Sequence, residues 1–579
     1  MTLSGRGVPI LPVPKFVRES GEASKLTPEV FRNLVPTRAQ INDLPTAIAL
    51  ITDTSLESEQ SYHLKIASSN IEIHSKDAVG WHYGLHTLKQ IAKASDDFLP
   101  VLEVEDHPDF ERRGIMLDVT RNKVPKLETL FYLIDLFASW KINELQLYIE
   151  HAFAYKGHDT VWQNASPLTV EDIEKLDDYC QERFIELVPN LNCFGHMSRW
   201  LIHAPYNEMA EQPEGGETDY GYRPEPQGLC PIDPRSISLA EDLIEQMTSC
   251  FKSKQVNVGC DETLDLGYGR SKRAVEEQGR GIVYLEYLQK VHAICDKLGY
   301  RMQYWADIIL KYPELIREVP TGSLALNWGY ESIHPFEEET TQLASSHCEF
   351  YVCPGTSSWN SIGGRTNNMM GNIRKAAIHG KQKGAIGLMT TDWGDNGHVQ
   401  PLLSSIPGFA FGSACAWNLE DEVDLPRTLD VQLFYKQGWG QLLLDIGHLD
   451  QAFDIYIHNQ SILFQLLKED NAFIKKVENL TVESLEKALV KAVHLKQVFE
   501  ELNTTRPIDE SYMEEYEWVL NMLIHACKRG LAVLQEENLN ELHEEALALR
   551  KQHKELWHLR NRSGEYELSR KFFESMIQS

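Results

Sequence analysis

Between residues 112 and 420, short apolar runs alternate with longer stretches in which apolar residues recur at every third or fourth position. The short runs predict β-strands, and the longer stretches predict amphipathic helices. About eight such strand–helix units in roughly 300 residues are typical of a (β/α)8 TIM barrel. The predicted strands are Gly114–Val119, Glu144–Glu150, Phe184–Asn192, Val256–Glu262, Arg301–Asp307, Ser323–Tyr330, Phe350–Thr356 and Ala385–Asp395. The predicted helices include Leu127–Trp140, Val170–Arg183, Ile237–Phe251 and Ile282–Leu298.

A doubly wound open sheet is the competing α/β architecture. That fold favours a Gly-rich phosphate loop after its first strand, and the segment Gly114–Arg121 contains no such loop. We therefore predict the barrel. The segment from His196 to Ile237 is rich in Pro, Gly and Glu, which predicts a long loop above the barrel.

The regions that flank the barrel have different patterns. Near the start of the chain, Ser61–Ser68 and Ile71–His74 alternate in the manner of strands, and Asp77 is placed to cap a helix that runs to about Ala94. From about residue 428 the chain is charged, and its apolar residues recur at helical spacing. The helical segments there include Val482–Leu502, Glu510–Glu537 and Leu539–Leu559. We predict an N-terminal α+β domain at 1–105, the barrel at 106–425 and a C-terminal α-helical domain at 426–579.

Composition limits the classes of partner. The 56 basic and 85 acidic residues of the 579 give a formal net charge of −29, which argues against nucleic acid and against an anionic membrane surface. No apolar run is long enough for a membrane span, and Met1 to Pro14 has no charged-then-apolar leader pattern. The ten cysteines form no C-x-x-C pair, so we expect no metal or redox motif, reduced thiols and a cytoplasmic location. The sequence leaves open whether the chain forms a homodimer.

Carboxylates and tryptophans follow the predicted barrel strands, where barrel active sites are built. The groups are Asp118-x-x-Arg121, Glu150-His151, Gly195-His196, Asp261-Glu262, Trp305-x-Asp307, Trp328-x-Tyr330-Glu331 and Trp393-x-Asp395. Indole rings stack on the apolar faces of sugars, and carboxylates and arginines bind sugar hydroxyls. A pocket of this composition favours a glycosidase.

The adjacent acids Asp261 and Glu262 are the strongest catalytic candidates. Neighbouring residues in a strand point to opposite faces, so both can face one pocket only where the strand is ending. A glycosidase needs one carboxyl group to protonate the leaving oxygen and usually a second group to stabilise or attack the anomeric carbon.

In their order and at barrel spacing, these motifs resemble glycoside hydrolase family 20, the β-N-acetylhexosaminidases. The resemblance covers roughly residues 60–420. Arg113 to Arg121 resembles the first barrel strand of that family, and Gly259-Cys-Asp261-Glu262 resembles its Gly-Gly-Asp-Glu strand. Pro189 to His196 resembles a Pro-Glu-x-Asp-x-Pro-Gly-His segment, and Trp393-Gly-Asp395 resembles a Trp-x-Glu motif.

Several positions depart from the family pattern. Asn190 and Asn192 stand where acids are usual, and Glu150 stands where Asp is usual. Cys260 replaces Gly, and Asn257 replaces His. The chain resembles a divergent branch of exo-acting enzymes with a helical C-terminal domain, and the departures bear on fine specificity more than on reaction type.

The resemblance implies an exo-acting, retaining enzyme that removes terminal non-reducing GlcNAc or GalNAc from glycans and glycoconjugates without a cofactor. Its mechanism is substrate-assisted: the acetamido carbonyl of the sugar attacks the anomeric carbon and forms an oxazolinium ion. Glu262 is then the general acid and later the base, and Asp261 holds the acetamido N–H and offsets the charge of the ion. The implied binding residues are Tyr330 at the acetamido oxygen, Trp305, Trp328 and Trp393 as pocket walls, Arg121 and Asp395 at ring hydroxyls, and His196 and Glu150 as a proton relay.

Two other functions stay open. One is a catalytically silent sugar-binding protein on the same barrel, which the intact acid pair argues against. The other is a metal-dependent barrel hydrolase that uses His151, His196 and Asp261, although the usual ligand spacings are absent. The segment Trp557–Gly564 predicts either a helix end and turn or a piece that docks near a barrel mouth.

Overall fold

The computed structural model describes residues 7–578, so part of the segment Met1–Pro14 lies outside the described residues. The N-terminal region is a five-stranded sheet covered by a helix, α1 (Ala78–Ala94). The Asp77 carboxylate caps α1 by accepting from the Val79 N–H, as predicted. The strands are β1 (Phe16–Ala23), β2 (Ile48–Thr52), β3 (Tyr62–Ile66), β4 (Ile71–Ser75) and β5 (Pro100–Asp106), in the order β1-β5-β3-β4-β2.

Eight parallel strands form a closed barrel, which confirms the predicted fold class. The strands are β6 (Arg112–Asp118), β7 (Glu144–Ile149), β8 (Glu186–Leu191), β9 (Gln255–Asn257), β10 (Arg301–Trp305), β11 (Leu324–Trp328), β12 (Glu349–Cys353) and β13 (Gly387–Asp392). The barrel closes where β13 pairs with β6. The prediction of a strand through Glu262 is wrong: β9 stops at Asn257 because Gly259 and Cys260 take φ values of +70° and +67°, which an extended strand does not tolerate.

Helices follow most of the barrel strands. Those of eight residues or more are α2 (Leu127–Ser139), α3 (Val170–Gln181), α4 (Pro234–Thr248), α5 (Arg280–Leu298), α6 (Phe336–Ser345), α7 (Thr366–Lys383) and α8 (Ile406–Trp417). Between β10 and β11 the chain forms only the short 3-10 turns Ile309–Lys311 and Pro313–Glu318. The helix predicted from Ile237 begins three residues earlier, because the Asp233 carboxylate caps it and Pro234 occupies its first turn.

The C-terminal region is helical, as predicted. Its longer helices are α9 (Trp439–Ile446), α10 (Val482–Thr505), α11 (Glu510–Gln535) and α12 (Asn540–Arg560). The shorter α-helices within residues 7–578 are Glu29–Arg32, Asp159–Trp162, Ser198–Leu201, Lys272–Gln278, Leu425–Leu429, Ile462–Lys468, Asn471–Ile474, Tyr566–Ser569 and Glu574–Gln578. The predicted domain limits at residues 105 and 425 stay predictions.

The apolar core continues from the barrel into the C-terminal helices. Phe137 and Phe409 of the barrel helices belong to the same buried cluster as Ile446, Tyr516 and Trp518. Fully burying one such side chain stabilises a fold by about 1.5–3 kcal/mol, so the two regions stabilise each other. The N-terminal region is attached differently: Lys141 and Asp106 form a fully buried ion pair at 2.9 Å, and the Trp417 indole N–H donates to Asp106 at 2.8 Å.

We therefore expect a chain truncated after residue 430 to aggregate, because the barrel would expose the apolar surface that α9 and α11 cover. Size-exclusion chromatography of the truncated chain tests this, and co-expression of residues 431–579 is the control, since it should restore soluble protein. A soluble, monodisperse truncation would contradict the expectation.

Candidate functional site

The backbone after β9 turns two neighbouring carboxylates toward the same side of the barrel mouth. Gly259, Cys260 and Glu262 all have positive φ, with +43° at Glu262. The segment still pairs with β10, since the Trp305 N–H donates to the Gly259 carbonyl at 3.0 Å. Gly195 allows this path: a Cβ there would lie 2.2 Å from the Asp261 carbonyl oxygen. Asp261 and Glu262 thus both face the pocket.

His196 joins the two acids. Its Nε2 lies 3.3 Å from Asp261 Oδ2 and 3.3 Å from Glu262 Oε2, and its Nδ1 lies 3.7 Å from Glu150 Oε1. Burial opposes protonation, but the charges and hydrogen bonds of Asp261 and Glu262 raise the pKa of His196 well above its ordinary value. The imidazole is therefore protonated on both nitrogens and positively charged at neutral pH. Its charge compensates part of the negative charge of the surrounding carboxylates.

Arg121 is the second cation of the mouth. Its Nη1 lies 2.6 Å from Asp395 Oδ1, and its Nε lies 3.5 Å from Glu150 Oε1. The guanidinium is 4.9 Å from the ring centroid of Trp393. Asp118 fixes this arrangement, because its carboxylate accepts from the backbone N–H groups of Arg121 and Gly394, each at 3.0 Å. Burial raises the pKa of Asp118 to about 6, although Arg121 opposes the rise.

Aromatic rings line the neighbouring part of the mouth. Trp328 stacks on Tyr330 with 5.1 Å between ring centroids, and Trp393 lies 6.1 Å from Trp305 and 6.3 Å from Tyr330. Trp359 meets the Tyr330 ring edge-on at 5.2 Å. Among the described residues the buried indole N–H groups of these four tryptophans have no hydrogen-bond partner. Such groups are suited to a bound ligand with oxygen acceptors.

The ten residues predicted for the site come together in one connected group. The polar members are linked through His196 and Arg121, and the aromatic members join them where Arg121 packs on Trp393. The predicted members are Arg121, Glu150, His196, Asp261, Glu262, Trp305, Trp328, Tyr330, Trp393 and Asp395. Their roles in binding and catalysis stay predictions.

The structure adds residues that sequence reasoning gave no role. Tyr148 lies within β7, and its hydroxyl donates to Glu150 at 2.9 Å. Asp307 follows β10, and its Oδ2 accepts from the Glu262 N–H at 3.2 Å. The position of Asp307, two residues after Trp305 at a strand end, was an available signal. Tyr148 offered none, because a tyrosine within an apolar strand is typical of the core.

Crowding of the carboxyl groups separates their pKa values. Burial, followed by the charges of Asp261 and Glu262, raises the pKa of Asp307 to about 8. Burial also raises the pKa of Asp395, against the effect of Arg121. For Glu262 burial acts in the same direction, but the hydrogen bond and charge of His196 outweigh it and lower its pKa. At neutral pH Asp307 is thus neutral and Glu262 is ionised.

The long segment after β8 forms one rim of the mouth. The Asp219 N–H donates to the Leu264 carbonyl at 3.1 Å, which ties this segment to the chain just beyond Glu262. Tyr220 is 65 % exposed. Tyr220 follows Asp219 directly, so the attachment to Leu264 holds it beside the chain just beyond Glu262, and burial followed by the charges of Glu262 and Asp307 raises its pKa. The rim therefore presents an aromatic surface beside the two acids.

The C-terminal end of the chain docks at the mouth of its own barrel. Glu565 Oε2 lies 3.1 Å from His151 Nε2, and Arg562 Nη2 lies 2.8 Å from Asp172 Oδ2. The Arg562 N–H donates to the Val124 carbonyl at 2.8 Å. Both interpretations of the segment Trp557–Gly564 therefore hold, since α12 ends at Arg560 and the residues after it dock at the mouth. Through His151 this end of the chain supports the loop that carries Glu150.

Within residues 7–578 no group of three or more His, Cys, Asp and Glu side chains is arranged to hold a metal ion. The ten cysteines, all in that range, are free thiols. No helix in the described part of the chain combines the length and the apolar character of a transmembrane segment.

Two family models match the chain. "Glycosyl hydrolase family 20, domain 2" matches residues 12–107, and "Glycosyl hydrolase family 20, catalytic domain" matches residues 110–359. The second match includes Asp261, Glu262 and most of the aromatic wall.

Individual relatives are distant. A lacto-N-biosidase of Bifidobacterium bifidum is 23 % identical over 280 residues, which are 45 % of this chain and 24 % of that protein. A beta-hexosaminidase of Porphyromonas gingivalis is 27 % identical over 244 residues, which are 37 % of this chain and 31 % of that protein. The chain thus matches a third or less of the length of these relatives. The crystal structure of a Flavobacterium johnsoniae chitobiase has the same fold, with a TM-score of 0.61 and 15 % identity over 99 % of this chain and 100 % of that one.

Because Asp307 is neutral in the folded protein, we expect Asp307→Asn to increase the stability of the fold, by an amount that depends on pH. In the unfolded chain this carboxyl group ionises near pH 4, and in the folded protein only near pH 8. Between these values the folded state holds a proton that the unfolded state has lost, so stability falls as pH rises. An amide at this position does not titrate and so avoids this loss of stability. Since one pKa unit is worth about 1.4 kcal/mol, the free energy of unfolding of the variant at pH 8 should exceed that of the wild type by a few kcal/mol.

Urea denaturation at pH 5 and pH 8 measures the difference, with the exposed Asp97→Asn as the matched control. The advantage of the Asp307 variant should grow between the two pH values, and the Asp97 variant should follow the wild type. A constant difference, or a variant less stable at pH 8, would contradict the assignment.

Proposed function

Because the chain belongs to glycosyl hydrolase family 20, we propose that it is an exo-acting, retaining β-N-acetylhexosaminidase. Its substrates are glycans and glycoconjugates that end in an N-acetylhexosamine. The observation that carries the proposal is the pair of carboxylates in the turn after β9, which share one protonated histidine beside an aromatic pocket.

Glu262 is the proposed general acid. In the free protein it is ionised, because His196 lowers its pKa, and the proton resides on the imidazole 3.3 Å away. The proton passes from His196 Nε2 to Glu262 and then to the glycosidic oxygen as the bond to the anomeric carbon breaks. His196 thus acts as a proton store, and Glu262 is left as the base that later activates water.

Asp261 is the proposed partner of the acetamido group. Its Oδ2 contacts His196, whereas its buried Oδ1 has no hydrogen-bond partner among the described residues. A buried unpaired carboxylate oxygen is costly, and the acetamido N–H of a bound sugar would satisfy it. The acetamido oxygen then attacks the anomeric carbon, and the Asp261 charge stabilises the positive oxazolinium ion.

The remaining residues divide between the two ends of the sugar. Trp305, Trp328 and Trp393 enclose the acetamido methyl group, and the Tyr330 hydroxyl donates to the acetamido oxygen. Arg121, which packs on Trp393 and pairs with Asp395, binds ring hydroxyls together with Asp395. The exposed Tyr220 on the rim supports the sugar or aglycone on the leaving side.

Hydrolysis of a panel of nitrophenyl glycosides tests the proposal. We expect rapid hydrolysis of β-N-acetylglucosaminides or β-N-acetylgalactosaminides and little hydrolysis of the matching β-glucoside, which has no acetamido nucleophile. Equal rates on both, or a sugar trapped covalently on a side chain, would contradict the substrate-assisted mechanism. Loss of activity with a chelator would favour the metal-dependent alternative, and sugar binding without hydrolysis would favour the silent one.

Substitution of the two acids should lower the hydrolytic activity in different ways. Glu262→Gln should lower kcat on a natural disaccharide about a hundredfold or more and should affect nitrophenyl substrates less, because a good leaving group needs less protonation. Asp261→Asn should damage both substrate types, because it removes charge that stabilises the transition state whatever the leaving group.

Rates on both substrates, with melting temperatures, separate these cases. The exposed Glu314→Gln and Asp97→Asn serve as controls and should resemble the wild type. If Asp261→Asn follows the same leaving-group dependence as Glu262→Gln, or lowers only the melting temperature, the roles assigned to the two acids are wrong.

A further inference from the structure

A cleft of about 790 Å³ lies where the N-terminal region, the barrel and the C-terminal helices meet. None of the ten predicted site residues lines it. Its wall includes His86, Lys89 and Lys93 from α1, Tyr132 from α2, and Tyr435 from the segment before α9. The cleft is thus separate from the barrel mouth, and each of the three regions contributes to it.

Two lysines without an ion-pair partner among the described residues give this cleft a positive charge. Lys89 and Lys93 lie one helical turn apart on α1, and within residues 7–578 neither has a carboxylate within ion-pair distance. The Lys89 ammonium donates to the Leu34 carbonyl at 2.6 Å, and the Lys93 ammonium donates to the Gln432 carbonyl at 3.3 Å. Two like charges at this spacing repel each other. A basic cleft is unexpected on a chain whose net charge is −29.

The other charged groups of the cleft are already engaged. Asp135 forms an ion pair with Arg183, and Arg560 forms one with Glu515. Asp509 caps α11 through the Ser511 N–H at 3.0 Å. Neither Asp135 nor Asp509 thus forms an ion pair with Lys89 or Lys93, although the charge of Asp135 partly offsets the lowering of the Lys89 pKa by burial and by Lys93.

Unused hydrogen-bonding groups also line the cleft. His86 is 6 % exposed, and neither of its ring nitrogens has a partner among the described residues. Burial, together with the neighbouring charges of His82 and the lysines, lowers the pKa of His86 well below its ordinary value, so the ring is neutral and offers one N–H donor. Gln432 Oε1 is likewise unpaired. Buried polar groups without partners are rare in folded proteins unless a ligand or water uses them.

Tyrosine rings border the charged part of the cleft. Tyr435 is exposed, and the Lys93 ammonium lies 4.9 Å from its ring centroid. The Tyr132 hydroxyl pairs with that of Tyr512 at 2.5 Å. A sugar that carries an oxyanion would match the lysines and the exposed tyrosine. Its charged group would contact Lys89 and Lys93, and its ring would pack on Tyr435.

We propose that this cleft is a second ligand site, which binds a small sugar through a phosphate or carboxylate group held by Lys89, Lys93 and His86. Because the lysines, Tyr132 and Tyr435 belong to three regions, the bound ligand connects all three and stabilises their packing. The oxyanion comes either from a free sugar phosphate or from an acidic sugar such as a uronic acid.

Isothermal titration calorimetry and thermal unfolding of the full chain test this with defined probes. The probes are inorganic phosphate, glucose 6-phosphate and glucuronate, with glucose as the neutral control. We expect binding and a higher melting temperature with glucose 6-phosphate or glucuronate, weaker effects with phosphate, and none with glucose. The tighter of the two sugars identifies the source of the oxyanion. Absence of binding by all three anions at millimolar concentration would overturn the proposal.

Variants locate the binding site. Lys89→Met with Lys93→Met should weaken binding at least tenfold, whereas Lys487→Met with Lys491→Met, an exposed pair at the same spacing on α10, should leave it unchanged. Hydrolysis of a nitrophenyl substrate by either variant should match the wild type, which separates this cleft from the barrel mouth. Equal affinity in the two double variants would overturn the assignment.

The pH dependence gives a readout that does not depend on the methionine variants folding. Burial lowers the pKa of Lys89 and of Lys93 to about 8, so binding should weaken as pH rises from 7 to 9. Lys89→Arg with Lys93→Arg keeps the charge at high pH, and its affinity should stay constant over that range. Binding by the wild type that does not change between pH 7 and pH 9 would contradict a role for these lysines.

Discussion

The barrel mouth depends on how six carboxyl groups share a confined space with two cations. Asp118, Glu150, Asp261, Glu262 and Asp395 lie within 4 Å of Arg121 or His196, and Asp307 accepts from the Glu262 N–H. Buried negative charges need either a positive partner or a proton. Glu150 and Glu262 obtain the first and have lowered pKa values, whereas Asp307 obtains the second. This difference in protonation matters because acid–base chemistry at neutral pH requires groups of similar type in different protonation states.

This electrostatic arrangement requires an irregular backbone, and the irregularity explains the short fourth strand. A strand that continued through Glu262 would point one of the two acids away from His196. Positive φ at Gly259, Cys260 and Glu262 brings both carboxylates to one imidazole, and residues held in that region of backbone space cluster at functional sites. Gly195, packed against the Asp261 carbonyl, holds the neighbouring segment close enough for His196 to reach them.

The sequence predicted those features that depend on local periodicity and missed those that depend on distant contacts. All eight barrel strands, the cap at Asp77 and the long C-terminal helices follow from patterns within a few residues, and the mouth follows from which residues end each strand. The end of β9 could not be predicted, because the alternation Val256-Asn257-Val258 continues the strand pattern past Asn257, where the strand ends. The contact of Glu565 with His151 joins residues 414 positions apart, and no local pattern records it.

Two departures from the family pattern are explained by hydrogen bonds in the barrel interior, below the mouth. Asn190 and Asn257 each donate to Gln146 Oε1 at 3.0 Å, and Gln146 donates to Gln303 at 2.7 Å. These amides form a neutral hydrogen-bonded layer across the barrel interior. A carboxylate at position 190 would add another buried negative charge to a site in which Asp307 already has to stay protonated. An ionised carboxylate has no N–H to donate to Gln146 Oε1, whereas an amide of the same volume makes this hydrogen bond and adds no charge beneath the acid pair.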